Sequence, residues 1–427
     1  MTCGSERASS GKLSRQKRLT SFDLFAGAGG LSLGLSWAGL ETIYALEQDK
    51  WAAETYSRNN PTVPLDVRDI RTFTDNEIEQ IAKLAPDVLV GGPPCQGFSH
   101  ANTSNRDPKD PRNSLFQDFV RFTKIINPKL CLIENVPGFL RTKLSDGSMA
   151  IDAVRSAFAQ IGYSIEWQVL NSADFGVPQS RDRLFIIATP IQLNSPPINW
   201  PSPSHHTPDS SAQTDFFQSQ LLLFRHITLW DAISDLPQVY AGDNDRKYNT
   251  LPLNEYQSFM RYNAPEILCN HEPMRHTARI TERFRAIGFG QSEADVPAHL
   301  RPRRRSGKGE LSGIVYDQNS RRQHPNEPCN AMVASSHTNF IHPFLHRNFT
   351  VREMMRIQSF PDWYVVCGKR AVLSKKLSMR KGFLDDIYLD QRAQIGNAVP
   401  PLLAKAVGGT IIRFLEAFYQ GELHAAA

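Results

Sequence analysis

Cysteine is scarce in this chain, and no cysteine stands in a pattern that binds metal. The 427 residues include only six cysteines, which are scattered along the sequence. They form no C-x-x-C pair and no cluster with histidine, so we expect neither a metal site nor a disulfide framework. Isolated cysteines of this kind are typical of a reducing compartment, which predicts a cytoplasmic protein.

Long apolar runs and a strong excess of one charge are also missing. We find no stretch that approaches the length of a membrane span, and we therefore expect no membrane association. Residues 1–20 are polar and basic and lack the apolar core of a signal peptide, which predicts a flexible basic tail. The formal net charge of +5 is compatible with a polyanionic partner but is too small to demonstrate one.

From residue 21 to about residue 188, the sequence alternates short β-rich segments with amphipathic helical patterns. The candidate strands are residues 21–26, 42–46, 63–65, 87–90, 130–133, 164–169 and 184–188. The candidate helices between them include residues 51–58, 75–83, 114–126 and 150–160. This alternation predicts an α/β fold with a doubly wound, Rossmann-like sheet, whose ligands bind beyond the carboxyl ends of the strands.

Beyond residue 190 the alternation stops. Residues 189–214 are rich in proline, serine and histidine, and the region that follows, to residue 328, contains clustered arginines. Helical patterning returns near residue 348 and ends in the apolar stretch 402–418. These changes predict a tail at 1–20, a first domain at 21–190, a smaller and irregular domain at 191–330, and a segment at 331–427 that returns to the first domain.

A loop with two prolines follows the apolar segment 88–90 and contains a lone cysteine. Its sequence is G-G-P-P-C-Q-G-F-S at residues 91–99. The prolines restrict the backbone, so we expect a rigid loop that fixes the direction of the Cys95 side chain. Two interpretations of Cys95 stand at this point, a nucleophile and a buried structural thiol, because the reactivity of a thiol depends on its surroundings.

The first strand leads into a glycine-rich turn that opens into a helix, F-A-G-A-G-G-L at residues 25–31. Glycines at a helix N-terminus let the backbone approach a ligand closely. Ser32 stands where the third glycine of G-x-G-x-x-G belongs, which argues against a plain nicotinamide site. Glu47 ends the second strand, where a carboxylate can accept both hydroxyls of a ribose, although an exposed loop acid is the alternative. Asp69 could contact the adenine side of the same ligand, with Asp66 as a competing choice.

Three further segments contain polar residues at positions that suit a site. Glu134 lies at the end of an apolar strand, so we expect it to face the cleft rather than the core. In Q-S-R-D-R at 179–183, Arg181 and Arg183 alternate and point to one side of an extended chain, unless they form only a solvated surface pair. The sequence Q-I-G-N-A-V-P-P at 394–401 combines a turn glycine with prolines that suit a helix start, and helix capping alone could explain it.

In this order along one chain, the motifs resemble those of the DNA cytosine-C5 methyltransferase family. The resemblance covers nearly the whole chain except the tail and the middle region. It also includes R-E-M-M-R-I-Q-S-F-P-D at 352–362. It implies a domain that uses S-adenosylmethionine, and a middle region that recognises a target in double-stranded DNA. It further implies a stand-alone bacterial enzyme, monomeric and paired with a cognate restriction endonuclease.

The resemblance also implies roles for the matching residues. Cys95 as a thiolate would add to C6 of a cytosine swung out of the duplex, so that C5 can accept the methyl group. Glu134 and Arg181, supported by Arg183, would hold the ring and stabilise its charge. The expected cofactor positions are Phe25, Ala26, Gly27, Gly29, Gly30, Leu31, Glu47, Gln48, Asp69, Ile70, Pro94, Asn397, Ala398 and Val399. The expected DNA contacts are Gln96, Ser99, Arg301, Arg303 and Arg304, although a triple arginine is just as often a solvated loop.

Two other functions compete with this one. A tRNA cytosine-C5 methyltransferase of the same fold is disfavoured because the middle region is long. A catalytically idle DNA-binding relative is disfavoured because Cys95, Glu134 and the glycine turn are all present. The sequence departs from the family pattern chiefly in about twenty inserted residues at 368–389, which are either a surface elaboration or a further DNA contact.

Overall fold

A computed structural model describes most of the chain. The described residues are 17–94, 115–144, 147–191, 195–206, 224–243, 245–303, 310–311, 319–334, 340–371, 381–383 and 387–426. The predicted nucleophile Cys95 and the predicted DNA contacts Gln96, Ser99 and Arg304 lie outside these residues.

A seven-stranded sheet forms the centre of the fold. The strands of the first half of the chain are β1 (Leu19–Leu24), β2 (Leu40–Leu46), β3 (Leu65–Asp66), β4 (Val88–Gly91), β5 (Leu130–Asn135), β6 (Tyr163–Asn171), β7 (Gln179–Ser180) and β8 (Asp182–Pro190). The sheet order is β3-β2-β1-β4-β5-β8-β6. Strand β8 runs antiparallel to both of its neighbours, and the other pairs are parallel. The predicted α/β fold is confirmed.

Helices cover both faces of this sheet. The helices of the described chain are α1 (Gly30–Ala38), α2 (Lys50–Asn59), α3 (Asp75–Ala82), α4 (Leu115–Ile126), α5 (Ala150–Gln160), α6 (Leu229–Ile233), α7 (Glu255–Arg261), α8 (Ala278–Arg285), α9 (Val351–Ile357), α10 (Gln391–Asn397) and α11 (Pro401–Ala426). One hydrophobic cluster joins one sheet face to α3, α4 and α5, and another joins the opposite face to α1 and α11. Alternate strand residues divide between the two clusters, as the period of a strand requires: Leu89 belongs to the first, and Val88 and Val90 to the second.

The last helix corrects the expectation about long apolar runs. The stretch Gln391–Gly421, which includes α10 and most of α11, is long and apolar enough to cross a membrane by length and composition. However, 67% of the most apolar window of this stretch is buried inside the protein. Leu403, Val407 and Ile411 are fully buried in the cluster that α11 shares with α1 and the sheet. The apolar character of this helix is therefore explained by its place in the core.

The described parts of the middle region pack against the C-terminal segment. Leu229 of α6 and Met260 of α7 belong to one hydrophobic cluster with Met354 of α9 and Leu33 of α1. The short strands β9 (His205–His206) and β10 (Phe224–Arg225) pair with each other, and β11 (Cys329–Asn330) pairs with β7. The domain boundaries at residues 190 and 330 stay a prediction, since the cluster around α6 and α7 extends across both sides of residue 330.

A small second core surrounds α8. It contains Phe284, Ile287, Val296, Leu300 and Ile341. The buried guanidinium of Arg322 donates hydrogen bonds to the carbonyl oxygens of Phe284 at 2.5 Å, Ile287 at 2.6 Å and His342 at 2.7 Å. This arginine therefore holds the small core together from inside, although the sequence places it among the clustered cations of a basic surface.

Candidate active site

Strands β4 and β5 bring the residues that precede Cys95 alongside Glu134. The strands are parallel, and Gly91 pairs with Ile133. A Cβ on Gly92 would lie 3.1 Å from Oε2 of Glu134, so the chain passes close to this carboxyl. The side-chain amide of Asn135 donates to the carbonyl oxygen of Pro93 at 3.3 Å. The described chain thus reaches Pro94, one residue before Cys95, along the side of Glu134.

Arg183 forms an ion pair with the same carboxyl. Strand β8 lies beside β5, with Asn135 opposite Leu184. Nε of Arg183 lies 2.8 Å from Oε1 of Glu134, and each side chain is only 12% exposed. Burial raises the pKa of Glu134 and outweighs the opposing effect of Arg183 and Arg181. The raised pKa makes this carboxyl easier to protonate than an exposed glutamate, and the protonated form can donate a hydrogen bond to a ligand.

Arg181 has different partners, although the sequence predicts that it shares a face with Arg183. It is buried, with Nη1 donating to the carbonyl oxygen of Met332 at 2.6 Å and Nη2 to that of Gly396 at 2.5 Å. Burial lowers its pKa well below the usual value. Arg181 therefore ties the start of β8 to the C-terminal segment, whereas Arg183 contacts Glu134 directly.

The glycine turn after β1 is held by Glu47. The backbone N–H of Gly27 donates to Oε2 of Glu47 at 2.7 Å, and that of Asp49 donates to Oε1 at 2.7 Å. Gly27 and Gly29 have φ values of 54° and 84°, which glycine adopts without a steric cost. Burial raises the pKa of Glu47. A carboxylate has about four acceptor positions, so Glu47 keeps capacity for ligand hydroxyls.

A small cavity lies beside Glu47 at the carboxyl ends of the strands. It is lined by Phe25, Leu46, Glu47, Gln48, Arg68, Asp69, Ile70 and Leu115. Asp69 lines this cavity, whereas Asp66 does not. The carboxylate of Asp66 instead accepts from the hydroxyl of Tyr44 at 2.5 Å and forms an ion pair with Arg68 at 3.2 Å. Sequence reasoning missed Leu46, Arg68 and Leu115 as lining residues, because none of them belongs to a motif.

The turn at residues 397–399 packs against the glycine turn, although it lies at the opposite end of the sequence. A Cβ on Gly30 would lie 2.3 Å from the carbonyl oxygen of Val399. A Cβ on Gly29 would lie 2.5 Å from the hydroxyl oxygen of Tyr364, which itself donates to the carbonyl oxygen of Ala28 at 2.5 Å. The close approach explains why glycines are required here. Tyr364 is a further residue that sequence reasoning missed, and no local pattern marks it.

Comparison with known proteins identifies the family. Residues 19–413 match the model of the C-5 cytosine-specific DNA methylase family. The chain belongs to this family. It is 43% identical to the Type II methyltransferase M.DdeI of Desulfomicrobium norvegicum, over 92% of this chain and 88% of the relative. It is 33% identical to the Type II methyltransferase M1.HphI of Haemophilus parahaemolyticus, over 92% of this chain and 87% of the relative.

Solved structures support the fold of this DNA methylase. A DNA modification methyltransferase encoded within an E. coli prophage superimposes with a TM-score of 0.68 at 23% identity, over 93% of this chain and 99% of that one. The enzyme is a DNA cytosine-C5 methyltransferase that uses S-adenosylmethionine. The residues that line the cavity fit the adenosyl group in their chemistry, because Glu47 offers acceptors for hydroxyls while Phe25 and Ile70 offer apolar surface for a base.

The two described arginines of the predicted DNA contacts are exposed. Arg301 and Arg303 follow the buried Leu300 at the edge of the small core around α8. The carbonyl oxygen of Arg301 accepts from the guanidinium of Arg279 at 2.9 Å. Their exposed side chains suit contact with phosphates, which Lys and Arg make in most DNA complexes.

Proposed function

We propose that this methyltransferase modifies C5 of one cytosine in a specific sequence of double-stranded DNA through a covalent bond between Cys95 and C6. The observation that best supports this proposal is the position of Glu134. The chain that leads to Cys95 runs along one side of this buried carboxyl, and Arg183 contacts it from β8. In this proposal a nucleophile that follows β4 and a proton donor at the end of β5 act on the same ring.

The thiolate matters because C5 of an aromatic cytosine is a poor nucleophile. The sulfur of Cys95 forms a bond to C6, and the displaced electron pair makes C5 enamine-like. C5 then uses this electron pair to bond to the methyl carbon of S-adenosylmethionine. The bond between that carbon and the sulfonium sulfur breaks, and S-adenosylhomocysteine leaves with its electron pair. Loss of the C5 proton to a base returns the electron pair of the C–H bond to the ring. This restores the C5–C6 double bond and expels the thiolate.

Glu134 holds the edge of the ring in this proposal. As a protonated carboxyl it donates to N3, and its other oxygen accepts from the exocyclic amine. The negative charge that arrives from sulfur is thereby stabilised on the ring. Arg183 orients this carboxyl and directs further N–H donors toward O2. Arg181 supports the site by fixing the backbone before β8, which differs from the leading role that the sequence predicts for it.

The cofactor positions differ in the part of the cofactor that they contact. Glu47 binds the ribose hydroxyls, Asp69 binds the amine of adenine, and Phe25 and Ile70 contact its ring. The glycine turn lets the backbone approach the amino-acid part of the cofactor. The positions that complete the pocket are Ala26, Gly27, Gly29, Gly30, Leu31, Gln48, Pro94, Asn397, Ala398 and Val399.

DNA binding in this proposal combines phosphate contacts with rotation of the target nucleotide. C6 is inaccessible to a thiol inside a duplex, so the cytosine must swing out at a cost of about a few kcal/mol. Arg301, Arg303 and Arg304 contact phosphates, and Gln96 and Ser99 contact the DNA near the flipped base. The relatives named as Type II methyltransferases support a protective role beside a cognate restriction endonuclease. The proposal also includes a monomeric enzyme in a bacterial cytoplasm.

Replacement of the nucleophile tests the proposal. In Cys95→Ala we expect no transfer of labelled methyl groups to DNA, while DNA and cofactor binding persist. Cys269→Ala, at a half-buried cysteine outside the site, is the matched control and should keep its activity. Methyl incorporation by Cys95→Ala would contradict the covalent mechanism. Bisulfite sequencing of DNA from cells that express the protein would give the modified base and its sequence context.

A further inference from the structure

The inserted segment 368–389 is anchored on α2 at both of its ends. At one end, a Cβ on Gly368 would lie 2.7 Å from Cγ of Trp51. At the other end, the backbone N–H of Leu389 donates to Oδ2 of Asp49 at 2.8 Å. The carbonyl oxygen of Lys369 accepts from the N–H of Gln391 at 2.9 Å, which closes the base of the segment.

Asp49 connects this segment to the carboxylate of Glu47. Its Oδ1 accepts from the N–H groups of Trp51 at 3.1 Å and Ala52 at 3.0 Å, and so caps α2. Its Oδ2 accepts from Leu389, and its own N–H donates to Oε1 of Glu47 at 2.7 Å. One residue therefore links the helix start, the inserted segment and the acid beside the cofactor cavity.

A second link runs through Gln394 of α10. Its side-chain oxygen accepts from the hydroxyl of Thr55 at 2.6 Å. Its side-chain amide donates to the carbonyl oxygens of Leu389 at 2.9 Å and Cys367 at 3.1 Å. Helix α10 leads directly into the turn at 397–399 that packs on Gly30. The base of the inserted segment is thus fixed to two walls of the cofactor site.

We propose that Asp49 is a positioning residue for Glu47, and that its bond to Leu389 couples the inserted segment to cofactor affinity. The inference rests on the proposed role of Glu47 toward the ribose hydroxyls. Hydrogen bonds to a charged carboxylate are stronger than neutral ones. Loss of the bond from Leu389 lets the start of α2 shift, and the amide of Asp49 then no longer holds Glu47 in place.

Asp49→Asn tests the coupling. Asparagine has an NH2 group in place of one carboxylate oxygen, so a donor faces either the N–H groups of α2 or the N–H of Leu389, and one of these contacts is lost. The matched control is Asn254→Ala, which removes a cap of the same type from α7, where Asn254 accepts from the N–H of Gln257 at 2.9 Å. Calorimetry without DNA would measure the Kd of S-adenosylhomocysteine and of its 2′,3′-dideoxy analogue, which lacks the hydroxyls.

We expect Asp49→Asn to weaken binding of S-adenosylhomocysteine about tenfold, as loss of a charge-assisted hydrogen bond would. Binding of the dideoxy analogue should stay unchanged, because that ligand makes no bond to Glu47. Asn254→Ala should change neither. Leu389→Pro removes the N–H donor while Asp49 stays intact, and it should also weaken binding of S-adenosylhomocysteine but not of the dideoxy analogue. The double variant should bind S-adenosylhomocysteine no more weakly than Asp49→Asn alone.

The outcomes separate this inference from the role of Glu47. If Glu47→Gln leaves the preference for the hydroxyl-bearing ligand unchanged, the proposed role of Glu47 fails. If Glu47→Gln abolishes the preference but Asp49→Asn and Leu389→Pro do not reduce it, only the coupling fails. Equal weakening of both ligands by Asp49→Asn would also overturn the coupling, since it indicates a general loss of structure.

Discussion

At the scale of single residues, the protonation of Glu134 decides what the pocket can do. This carboxyl is almost enclosed between the chain leading to Cys95 and the guanidinium of Arg183. Burial disfavours its charged form, and the ion pair limits that effect without reversing it. In the proposed mechanism, Glu134 donates a proton to N3 of cytosine when the thiolate adds and accepts it again when the thiolate leaves.

Glu134→Gln keeps the shape of the side chain and removes its exchangeable carboxyl proton. We expect kcat to fall about 100-fold or more, the scale of general acid catalysis, with little change in cofactor Kd. In the wild type, activity should decrease as pH rises through the raised pKa of Glu134, because the protonated form is the donor. The variant should show no such decrease. Single-turnover methyl transfer across pH measures both effects. Equal losses in turnover and cofactor affinity would remove Glu134 from the catalytic role.

The two arginines should respond differently to replacement by lysine. Arg183→Lys keeps the charge but loses the planar set of donors, so we expect turnover to fall at least about tenfold with unchanged stability. Arg181→Lys loses bonds to two buried carbonyl oxygens and should lower the free energy of unfolding by about 2 kcal/mol. Single-turnover rates and denaturant titrations give the comparison. If Arg181→Lys lowered turnover without loss of stability and Arg183→Lys lowered stability without loss of turnover, Arg181 would have the main contact with the ring that the sequence predicts.

At the scale of elements, local patterns predict the sheet well. All seven predicted strands of the first domain exist, and the predicted helix 150–160 is α5, Ala150–Gln160. The third strand is placed less accurately, at 63–65 in place of Leu65–Asp66. Pro64 explains the difference, because it has no N–H to donate to a ladder and can only lead into an edge strand.

Contacts between distant segments have no comparable sequence signal. Alternation predicts that Arg181 and Arg183 point to one side, but it cannot show that one contacts Gly396 and the other Glu134. The glycine motif predicts a close approach without identifying Val399 and Tyr364 as the groups that approach. The polar residue Ser32 replaces a glycine because its hydroxyl donates to the buried carboxylate of Asp23 at 2.5 Å. These facts depend on tertiary packing, which no local pattern encodes.

Packing of α1 against α11 depends on a glycine at the crossing point. A Cβ on Gly34 would lie 2.2 Å from the carbonyl oxygen of Pro401 and 2.4 Å from Cβ of Ala404. We expect Gly34→Ala to lower the free energy of unfolding by about 2 kcal/mol, the cost of overpacking. Gly409→Ala is the matched control, since its nearest neighbour lies at 3.5 Å, and it should be neutral or stabilising. Denaturant titration compares the variants, and equal stabilities would contradict the close crossing.

At the scale of the whole molecule, the two ends of the described chain build one scaffold around the middle region. Lys17 donates to the carboxylate of Asp87 at 2.6 Å and to the hydroxyl of Tyr419 at 2.5 Å, so the start of β1 is tied to α11. The residues between β8 and α9 contribute α6 and α7 to the cluster shared with α1. The described helices of the middle region therefore pack on the helix that begins at the glycine turn of the site.

Trapping on a modified duplex tests the central claim most directly. Fluorine at C5 of the target cytosine cannot leave as a proton does, so the sulfur of Cys95 should stay bonded to C6 after methyl transfer. In the presence of S-adenosylmethionine, we predict a denaturation-resistant complex whose mass is that of the protein plus the methylated duplex strand, with the DNA attached at Cys95. Absence of this complex from a preparation that methylates the ordinary duplex would contradict the account.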